Sequence, residues 1–388
     1  MTHNKYWRFL TLLLLLAVGG CTTFQDFLDT VRGPQSAEVR RHIEKQPTVD
    51  AIDANRFIIE SPAQDVVGVP QVVFARERDT LADFARAYGL GYDELLAANP
   101  GVDPWLPGEN TPILLPTQFV LPDVPRRGIV LNIAAKRLFY FPQDSIVRTP
   151  VSGEIERQTV LTFPIGIGRV GWETPLGETT VVSKAKDPTW WVPLSVRREH
   201  AEMGDPLPSV VPPGPENPLG TRVLKLDMPG YLIHGTNQPA GVGMRVSHGC
   251  VRLYPENIEF LYELIGVGEP VTIVNEPFLL GRLGDEWYFE SHSPLADDAV
   301  DPQERLDELL ERFGDDIETD LQHHLRSVAS AGRGVPVRLE RFDEAEVFTR
   351  VRRVHNIVEE NPDAPTLDEV REMIEEAVAE AEREQEGA

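Results

Sequence analysis

Short apolar runs broken by glycine and proline recur from Gly128 to Asn275, and few folds accommodate such a series. Runs such as GIVLN, QTVLTFP and EPVTIV are brief and rich in β-branched or aromatic residues, which is typical of strands. One clear helical spacing of apolar residues, in PENIEFLYELI, interrupts them. The series therefore predicts a mainly β domain in the middle of the chain.

A smaller unit precedes this domain, as expected for a chain of 388 residues, which is too long for one ordinary core. Asp79 or Thr80 is expected to cap its first helix, and Gly89 to end that helix. The four predicted elements are a strand at Val72–Phe74, a helix at Leu81–Tyr88, a second helix at Tyr92–Ala98 and a strand at Ile113–Leu115. This order resembles a LysM module, a small α+β unit that binds N-acetylglucosamine-containing glycans. A spacer without binding is the alternative.

The first residues carry a targeting pattern. Two basic residues precede an apolar run from Phe9 to Val18, which is too short to cross a membrane comfortably. The run ends in VGGC at Cys21, which resembles a bacterial lipobox. This resemblance implies a lipoprotein signal peptide at residues 1–20, a lipid-modified Cys21 and a lipid anchor in the periplasm. The residue after Cys21 is Thr22 and not Asp, and by the same resemblance this favours sorting to the outer membrane of a Gram-negative bacterium. An ordinary signal peptide with an incidental cysteine is the alternative.

Two further regions are predicted mainly from composition. Residues 21–70 are polar and are interpreted as a tether with one short helix around Ala37–Lys45. Residues 277–388 are predicted to form an acidic, largely helical extension, because apolar residues recur there at helical spacing. From Gly281 to Ala388 there are 30 acidic residues against 12 arginines, so this range carries −18 of the net charge of −25. Such acidity argues against nucleic acid as a partner.

The stretch HGTNQPAGVGMRVSHGCVRL, from His234 to Leu253, concentrates reactive residue types in a glycine-rich loop. The chain has two cysteines, so acylation of Cys21 would leave Cys250 unpaired in an exported protein. A buried structural cysteine, a redox thiol or a metal ligand would be possible uses. The last two are disfavoured because the chain lacks a resolving cysteine and has no CxxC or HExxH spacing. A buried structural cysteine does not account for the flanking SHG and arginine in a glycine-rich loop between strands, which leaves a nucleophile activated by an imidazole.

The residue pattern leaves the identity of the base open. His248 is two residues from Cys250, whereas His234 is sixteen residues upstream, at the end of an apolar run. Gly249 and the neighbouring amides could face a developing oxyanion. Spacing alone decides none of these roles.

The motif resembles the signature of the YkuD-family L,D-transpeptidases of ErfK/YbiS type, and the resemblance extends from about Gly128 to Asn275. It implies a YkuD-type β-sandwich at residues 127–276. It also implies the following roles: Cys250 as nucleophile, His234 as proton donor and acceptor, the Gly235 carbonyl orienting His234, the Gly249 amide in the oxyanion hole, and Ser247, His248 and Arg252 at the substrate site. No metal or other cofactor is implied.

The family reaction acts on peptidoglycan stem peptides. The cysteine attacks the carbonyl of diaminopimelate, expels D-Ala and forms a thioester, which an amine of another stem, of a lipoprotein lysine or of a D-amino acid resolves. A hydrolase on the same fold and an inactive peptidoglycan-binding lipoprotein are the alternatives. Because the chemistry-bearing residues all follow Gly128, deletion of Val72–Pro116 from the module at residues 71–117 is expected to weaken binding to sacculi but to spare turnover of soluble stem peptides.

Overall fold

The predicted catalytic region supplies most of a ten-stranded sheet in the computed structural model of the chain. The structure describes residues 36–149, 153, 155–298, 300–313, 319–339 and 346–359. The predicted signal peptide, the predicted lipidation site Cys21 and the end of the acidic extension lie outside these residues. Within the described residues, none of the helices has the length and apolar character needed to cross a membrane.

The described chain before residue 128 alternates short helices and strands. The elements are α1 Ala37–Glu44, β1 Arg56–Ile59, β2 Val66–Gly68, β3 Gln71–Phe74, α2 Leu81–Ala87, α3 Tyr92–Ala98, β4 Pro112–Leu115 and β5 Gln118–Val120. Thr80 caps α2, since its hydroxyl accepts from the Asp83 amide (3.2 Å) while the Asp83 carboxylate accepts from the Thr80 amide (2.9 Å). Gly89 follows this helix with a φ of 64°, a conformation that suits glycine. The four elements predicted for the module, and the short helix near Ala37, are confirmed.

The predicted tether differs from the structure within its described part. Strand β1 pairs antiparallel with a strand of the catalytic region, in register from Arg56 opposite Leu161 to Ile59 opposite Gln158. Phe57 and Ile59 are buried, whereas Arg56 and Ile58 are exposed. This alternation covers only four residues, so the polar composition around it concealed a strand. Residues 56–59 are therefore part of the sheet rather than a tether.

The catalytic region is mainly β, as predicted, with two α-helices among its described residues. Its elements are β6 Gly128–Asn132, β7 Arg137–Phe141, β8 Val147–Arg148, β9 Ile155–Pro164, β10 Ile167–Gly168, β11 Gly177–Lys186, β12 Trp190–Trp191, α4 Leu194–Glu202, β13 Val210–Val211, β14 Arg222–Leu226, β15 Leu232–His234, β16 Arg245–Ser247, β17 Val251–Arg252, α5 Pro255–Leu264 and β18 Pro270–Val274. Helix α5 is the predicted helix, and α4 is one that the sequence pattern did not indicate.

The large sheet runs in the order β1-β9-β7-β6-β18-β11-β14-β15-β17, with β8 beside β9. The long strand β11 joins its two halves. The first residues of β11 pair with β18, and its later residues, from Val181 onward, pair with β14. The register of the β14 pairing shifts between Val181 and Ser183, an irregularity of the β-bulge kind that bends a strand locally. The half that ends in β15 and β17 carries the predicted catalytic residues.

The module shares a hydrophobic core with the catalytic sheet. Side chains of β6 and β7 alternate, so Ile129 and Leu138 face the core under α5, whereas Val130 and Phe139 face the module. On that second side they join one continuous apolar cluster with Phe84 and other residues of the module. The module therefore covers one face of the catalytic sheet, and its removal would expose that face to water. This shared core argues against the expectation that deletion would spare turnover, which stays a prediction.

A buried ion pair crosses the same boundary. Arg137 of β7 and Glu94 of α3 lie 2.7 Å apart, with side chains only 2% and 6% exposed. Removing one partner of such a pair leaves a buried charge uncompensated, at a cost of about 3–5 kcal/mol. The pair therefore fixes α3 against the catalytic sheet.

The extension begins with strands rather than a helix. Its described elements are β19 Phe278–Leu283, β20 Glu286–Ser291, α6 Pro302–Phe313, α7 Thr319–Ala331, β21 Val337–Arg338, α8 Glu346–Arg350 and β22 Arg352–Arg353. Strands β19, β20 and β21 form a separate sheet, and β22 pairs in parallel with β3 of the module. Val72 and Leu114 of the module face the core of this extension. The largely helical character of residues 277–388 stays a prediction, since many of them lie outside the described residues.

Candidate active site

Strand register brings His234 and Cys250 to the same part of the sheet. Strand β15 runs parallel to β17, with Ile233 opposite Val251 and His234 opposite Arg252. Side chains alternate along a strand and directly opposed residues share a face, so His234, Arg252 and Cys250 lie on one face. Cys250 immediately precedes β17. The fold therefore places His234 and Cys250, which are sixteen positions apart in the sequence, on adjacent parts of the sheet.

The surroundings of His234 define its tautomer. Its side chain is buried, 3% exposed, and its Nδ1 lies 2.6 Å from the Gly235 carbonyl oxygen. Because a carbonyl oxygen only accepts, Nδ1 carries the hydrogen, and in the neutral imidazole Nε2 keeps its lone pair. Burial, assisted by the charge of Arg252, lowers the pKa of His234 to about 3, against the opposing effect of the Gly235 and Leu219 carbonyls. The neutral imidazole is therefore the resting form at physiological pH.

Cys250 has the character of a protonated resting thiol. It is partly buried, and its Sγ lies 3.6 Å from the Gly230 carbonyl oxygen. Burial raises the pKa of the Cys250 thiol above its usual value, although the Leu232 backbone and the charge of Arg252 act in the opposite direction. A thiol held in this way needs a base to become a nucleophile.

The loop that presents Cys250 is held through its carbonyl groups. The Ser247 hydroxyl donates to the Cys250 carbonyl oxygen (2.5 Å), and the Thr174 hydroxyl donates to the Gly249 carbonyl oxygen (3.0 Å). Gly249 has a φ of 95°, and a Cβ there would lie 2.9 Å from the Tyr231 ring. Only glycine fits this turn without strain. The role of the Gly249 amide in an oxyanion hole stays a prediction.

Two of the three predicted substrate-site residues lie where substrate contact is feasible. Arg252 is partly buried beside His234 and Cys250, and its backbone pairs with Gly166 through two hydrogen bonds of 2.8 and 2.9 Å. The side chain of His248 is 23% exposed. Ser247, by contrast, is 1% exposed and uses its hydroxyl within the loop. The structure thus favours a loop-supporting role for Ser247 over the predicted contact with substrate.

The structure adds a group of residues around His248 that sequence reasoning missed. His248 Nε2 lies 2.8 Å from Glu199 Oε2 and 3.0 Å from Arg169 Nη2, and Arg169 also pairs with Glu199 Oε1. The Trp172 ring meets the His248 ring edge-on, with centroids 4.8 Å apart. Burial lowers the pKa of His248, while the hydrogen bond to Glu199 opposes this. Hydrogen bonding from His248, and then from Arg169, holds the pKa of Glu199 below its usual value.

The module also reaches the loop between His234 and Cys250. The Tyr92 amide donates to the Val242 carbonyl oxygen (3.3 Å). A Cβ at Gly243 would lie 2.4 Å from the Gly91 Cα, so the two backbones touch. Among the described residues, no group of three or more His, Cys, Asp or Glu side chains is arranged to hold a metal ion. The arrangement offers a thiol and a neutral imidazole, the nucleophile and base that acyl transfer through a cysteine uses, with the Arg252 guanidinium beside them.

Comparison with known proteins defines the class. Residues 126–273 match the YkuD model, which describes the L,D-transpeptidase catalytic domain. The chain is 42% identical over 235 residues to "Probable L,D-transpeptidase YbiS" of Escherichia coli K12, covering 60% of this chain and 72% of that relative. It is 36% identical over 287 residues to "Probable L,D-transpeptidase ErfK/SrfK" of Salmonella typhimurium LT2, covering 71% of this chain and 87% of that relative.

The chain therefore belongs to the YkuD-domain L,D-transpeptidases, within the group of ErfK/YbiS type. It is an enzyme of the L,D-transpeptidase class. Among solved structures, the catalytic domain of the Enterococcus faecium L,D-transpeptidase is 21% identical with a TM-score of 0.27, over 39% of this chain and 99% of that chain.

Proposed function

We propose that this enzyme transfers the acyl group of a peptidoglycan stem peptide through a thioester on Cys250. The observation that supports this most directly is the hydrogen bond from His234 Nδ1 to the Gly235 carbonyl, which leaves Nε2 as a base. As Cys250 Sγ attacks the diaminopimelate carbonyl carbon, Nε2 takes the thiol proton. The tetrahedral intermediate carries its negative charge on the former carbonyl oxygen, near the amides of Gly249 and Cys250. Its collapse expels D-Ala, which takes the proton from the imidazolium.

The second half of the reaction restores the thiol. An acceptor amine attacks the thioester carbon, His234 takes the proton of the amine, and the departing sulfur recovers that proton. The acceptors consistent with this chemistry are a diaminopimelate amine of another stem, which gives a 3–3 cross-link, and a lysine of an outer-membrane lipoprotein. Water as acceptor would make the enzyme a carboxypeptidase.

Muropeptide analysis of sacculi incubated with the purified enzyme tests this proposal. We expect D-Ala release together with 3–3 cross-linked products, and neither with Cys250→Ala. Tripeptide stems without any cross-link or attached acceptor would instead identify a hydrolase. Unchanged sacculi with the wild-type enzyme would contradict the proposal.

For the module, we propose that it is a LysM unit which holds the enzyme on glycan strands and raises the local concentration of stem peptides. Trp105 supports this, since it is 64% exposed and its ring lies 6.4 Å from that of Tyr92, which forms an apolar surface suited to sugar rings. Deletion is an unsuitable test because the module shares its core with the catalytic sheet. Trp105→Ala should weaken co-sedimentation with sacculi, whereas Trp191→Ala, which changes an exposed tryptophan of the catalytic region, should not. Equal sedimentation of both variants would indicate a spacer.

For the N-terminus, we propose lipid modification of Cys21 and an anchor on the periplasmic side of the outer membrane. The support is the lipobox resemblance in the sequence. Metabolic labelling with a palmitate analogue should mark the wild-type protein but not Cys21→Ser, and the variant should leave the membrane fraction. An unlabelled wild-type protein would identify an ordinary signal peptide.

A further inference from the structure

Helix α4 reaches the active-site loop through one carboxylate. The helix lies in the segment that connects β11 to β14, and Glu199 projects from it to His248. Arg169, which follows β10, contacts both Glu199 and His248. Residues from two separate segments, Glu199 and Arg169, thus contact the same atom, His248 Nε2.

Glu199 and Arg169 require opposite hydrogen-bonding roles of His248 Nε2. A carboxylate only accepts hydrogen bonds and a guanidinium only donates them. In the neutral imidazole, Nε2 therefore either donates to Glu199 or accepts from Arg169, and it cannot do both. Its distance to Glu199 is shorter, 2.8 Å against 3.0 Å to Arg169, and a charge-assisted bond to a carboxylate is a strong one.

The choice at Nε2 decides what the other ring nitrogen offers. If Nε2 donates to Glu199, Nδ1 of the neutral ring has a lone pair and accepts hydrogen bonds. If Nε2 instead accepts from Arg169, Nδ1 carries the hydrogen and donates. Within the described part of the chain, Nδ1 has no hydrogen-bond partner, and the side chain is 23% exposed.

We propose that Glu199 is a positioning residue that holds His248 in the Nε2–H tautomer, so that Nδ1 accepts a hydrogen bond from an N–H group of the bound substrate. This inference rests on the proposed function and deepens it, since it assigns a donor-bearing amide or ammonium group to that side of the site. Glu199 acts through His248 and touches none of the reacting atoms. Arg169 holds Glu199 in place by pairing with its second oxygen.

The experiment combines ¹⁵N NMR of the histidine rings with steady-state kinetics on a soluble stem peptide, for the full-length wild type and matched variants. In Glu199→Met, which removes the acceptor, we expect the His248 resonances to move away from the Nε2–H pattern and KM to rise about 3- to 10-fold, as for the loss of one directed hydrogen bond. The rate of Cys250 alkylation should not change. Glu199→Asp should recover part of the loss, and Glu202→Met, which alters an exposed residue of the same helix, should resemble the wild type.

Arg169→Met sharpens the test because it removes the competing donor and introduces no other. This variant should keep the Nε2–H pattern. The inference is overturned if Glu199→Met leaves the tautomer unchanged, or if it slows Cys250 alkylation as much as it raises KM. The NMR pattern does not depend on turnover, so failure of the proposed reaction and failure of this inference can be told apart.

Discussion

The two histidines of the active-site loop are held in different ways. His234 is buried in the sheet and its orientation is set by a backbone carbonyl, whereas His248 is partly exposed and held by side chains from two other segments. A backbone partner cannot be removed by substitution, and it carries no charge that titrates. A carboxylate partner can be lost or protonated. The difference indicates that the position of His234 is fixed by the fold, while that of His248 is adjustable.

We expect the largest effect from removal of the Cys250 thiol, on which the proposed roles of both histidines depend. Cys250→Ala should abolish acyl transfer, because no other thiol lies among the described residues to form the thioester. Mass spectrometry of the enzyme with substrate should show an acyl adduct in the wild type and none in the variant. Thermal unfolding provides the control, and we expect the melting temperatures to agree closely. Turnover by this variant would place the chemistry elsewhere.

The next effect separates the two imidazoles. His234→Ala should reduce the rate of Cys250 acylation by about 10²- to 10⁴-fold, the usual contribution of a general base. His248→Ala should mainly raise KM, because the His248 ring contacts Glu199, whereas His234 lies in the strand beside Cys250. Single-turnover acylation measures the first effect and steady-state KM the second. The reverse assignment would follow if His248→Ala showed the greater loss of acylation.

A third prediction uses pH. With a pKa of about 3 in the folded enzyme, His234 is neutral throughout the range from pH 5 to 8. The profile of kcat/KM should therefore lack an acid limb near pH 6.5 due to this group, and we would measure it in His248→Asn so that the second imidazole is absent. A limb near pH 6.5 in that variant would show that His234 titrates normally.

The same depressed pKa has a consequence for stability. The unfolded histidine binds a proton below about pH 6.5, while the folded one does not until about pH 3. The free energy of unfolding should therefore fall as pH drops through this window and be unaffected by the group above it. His234→Gln should reduce this pH dependence in urea titrations, compared with His248→Gln.

The sequence was most informative where chemistry and periodicity coincide. The SHGC motif and the HG upstream of it predicted the roles of Cys250 and His234 through the family resemblance, and the short apolar runs at Val72–Phe74 and Ile113–Leu115 predicted the module strands. It could not show that Val72 and Val73 face two different cores, because both neighbours of the module are distant in the sequence. The short strand β1 was concealed for a related reason, since its partner β9 lies about a hundred residues downstream.

Glu199 illustrates the same limit within the site. The segment LSVRREHAE buries only Val196, so its apolar spacing gives little indication of a helix. The contact of Glu199 with His248 spans 49 residues of sequence. A charged residue in a polar segment resembles any solvated residue until the fold brings its partner close.

The smallest expected effect concerns the edge-on contact between Trp172 and His248, whose rings meet at 81°. Trp172→Leu removes that contact but should spare the turn, which the Trp172 amide maintains by donating to the Arg169 carbonyl (2.9 Å). Aromatic pairs of this geometry contribute about 0.5–1.5 kcal/mol, so we expect KM to rise about 2- to 10-fold at most. Trp105→Leu, in the module, is the matched control and should leave KM for a soluble stem peptide unchanged. Because Glu199 still holds Nε2 in the Trp172 variant, the tautomer seen by ¹⁵N NMR should persist. A changed tautomer would mean that ring packing, and not the carboxylate, sets the state of His248.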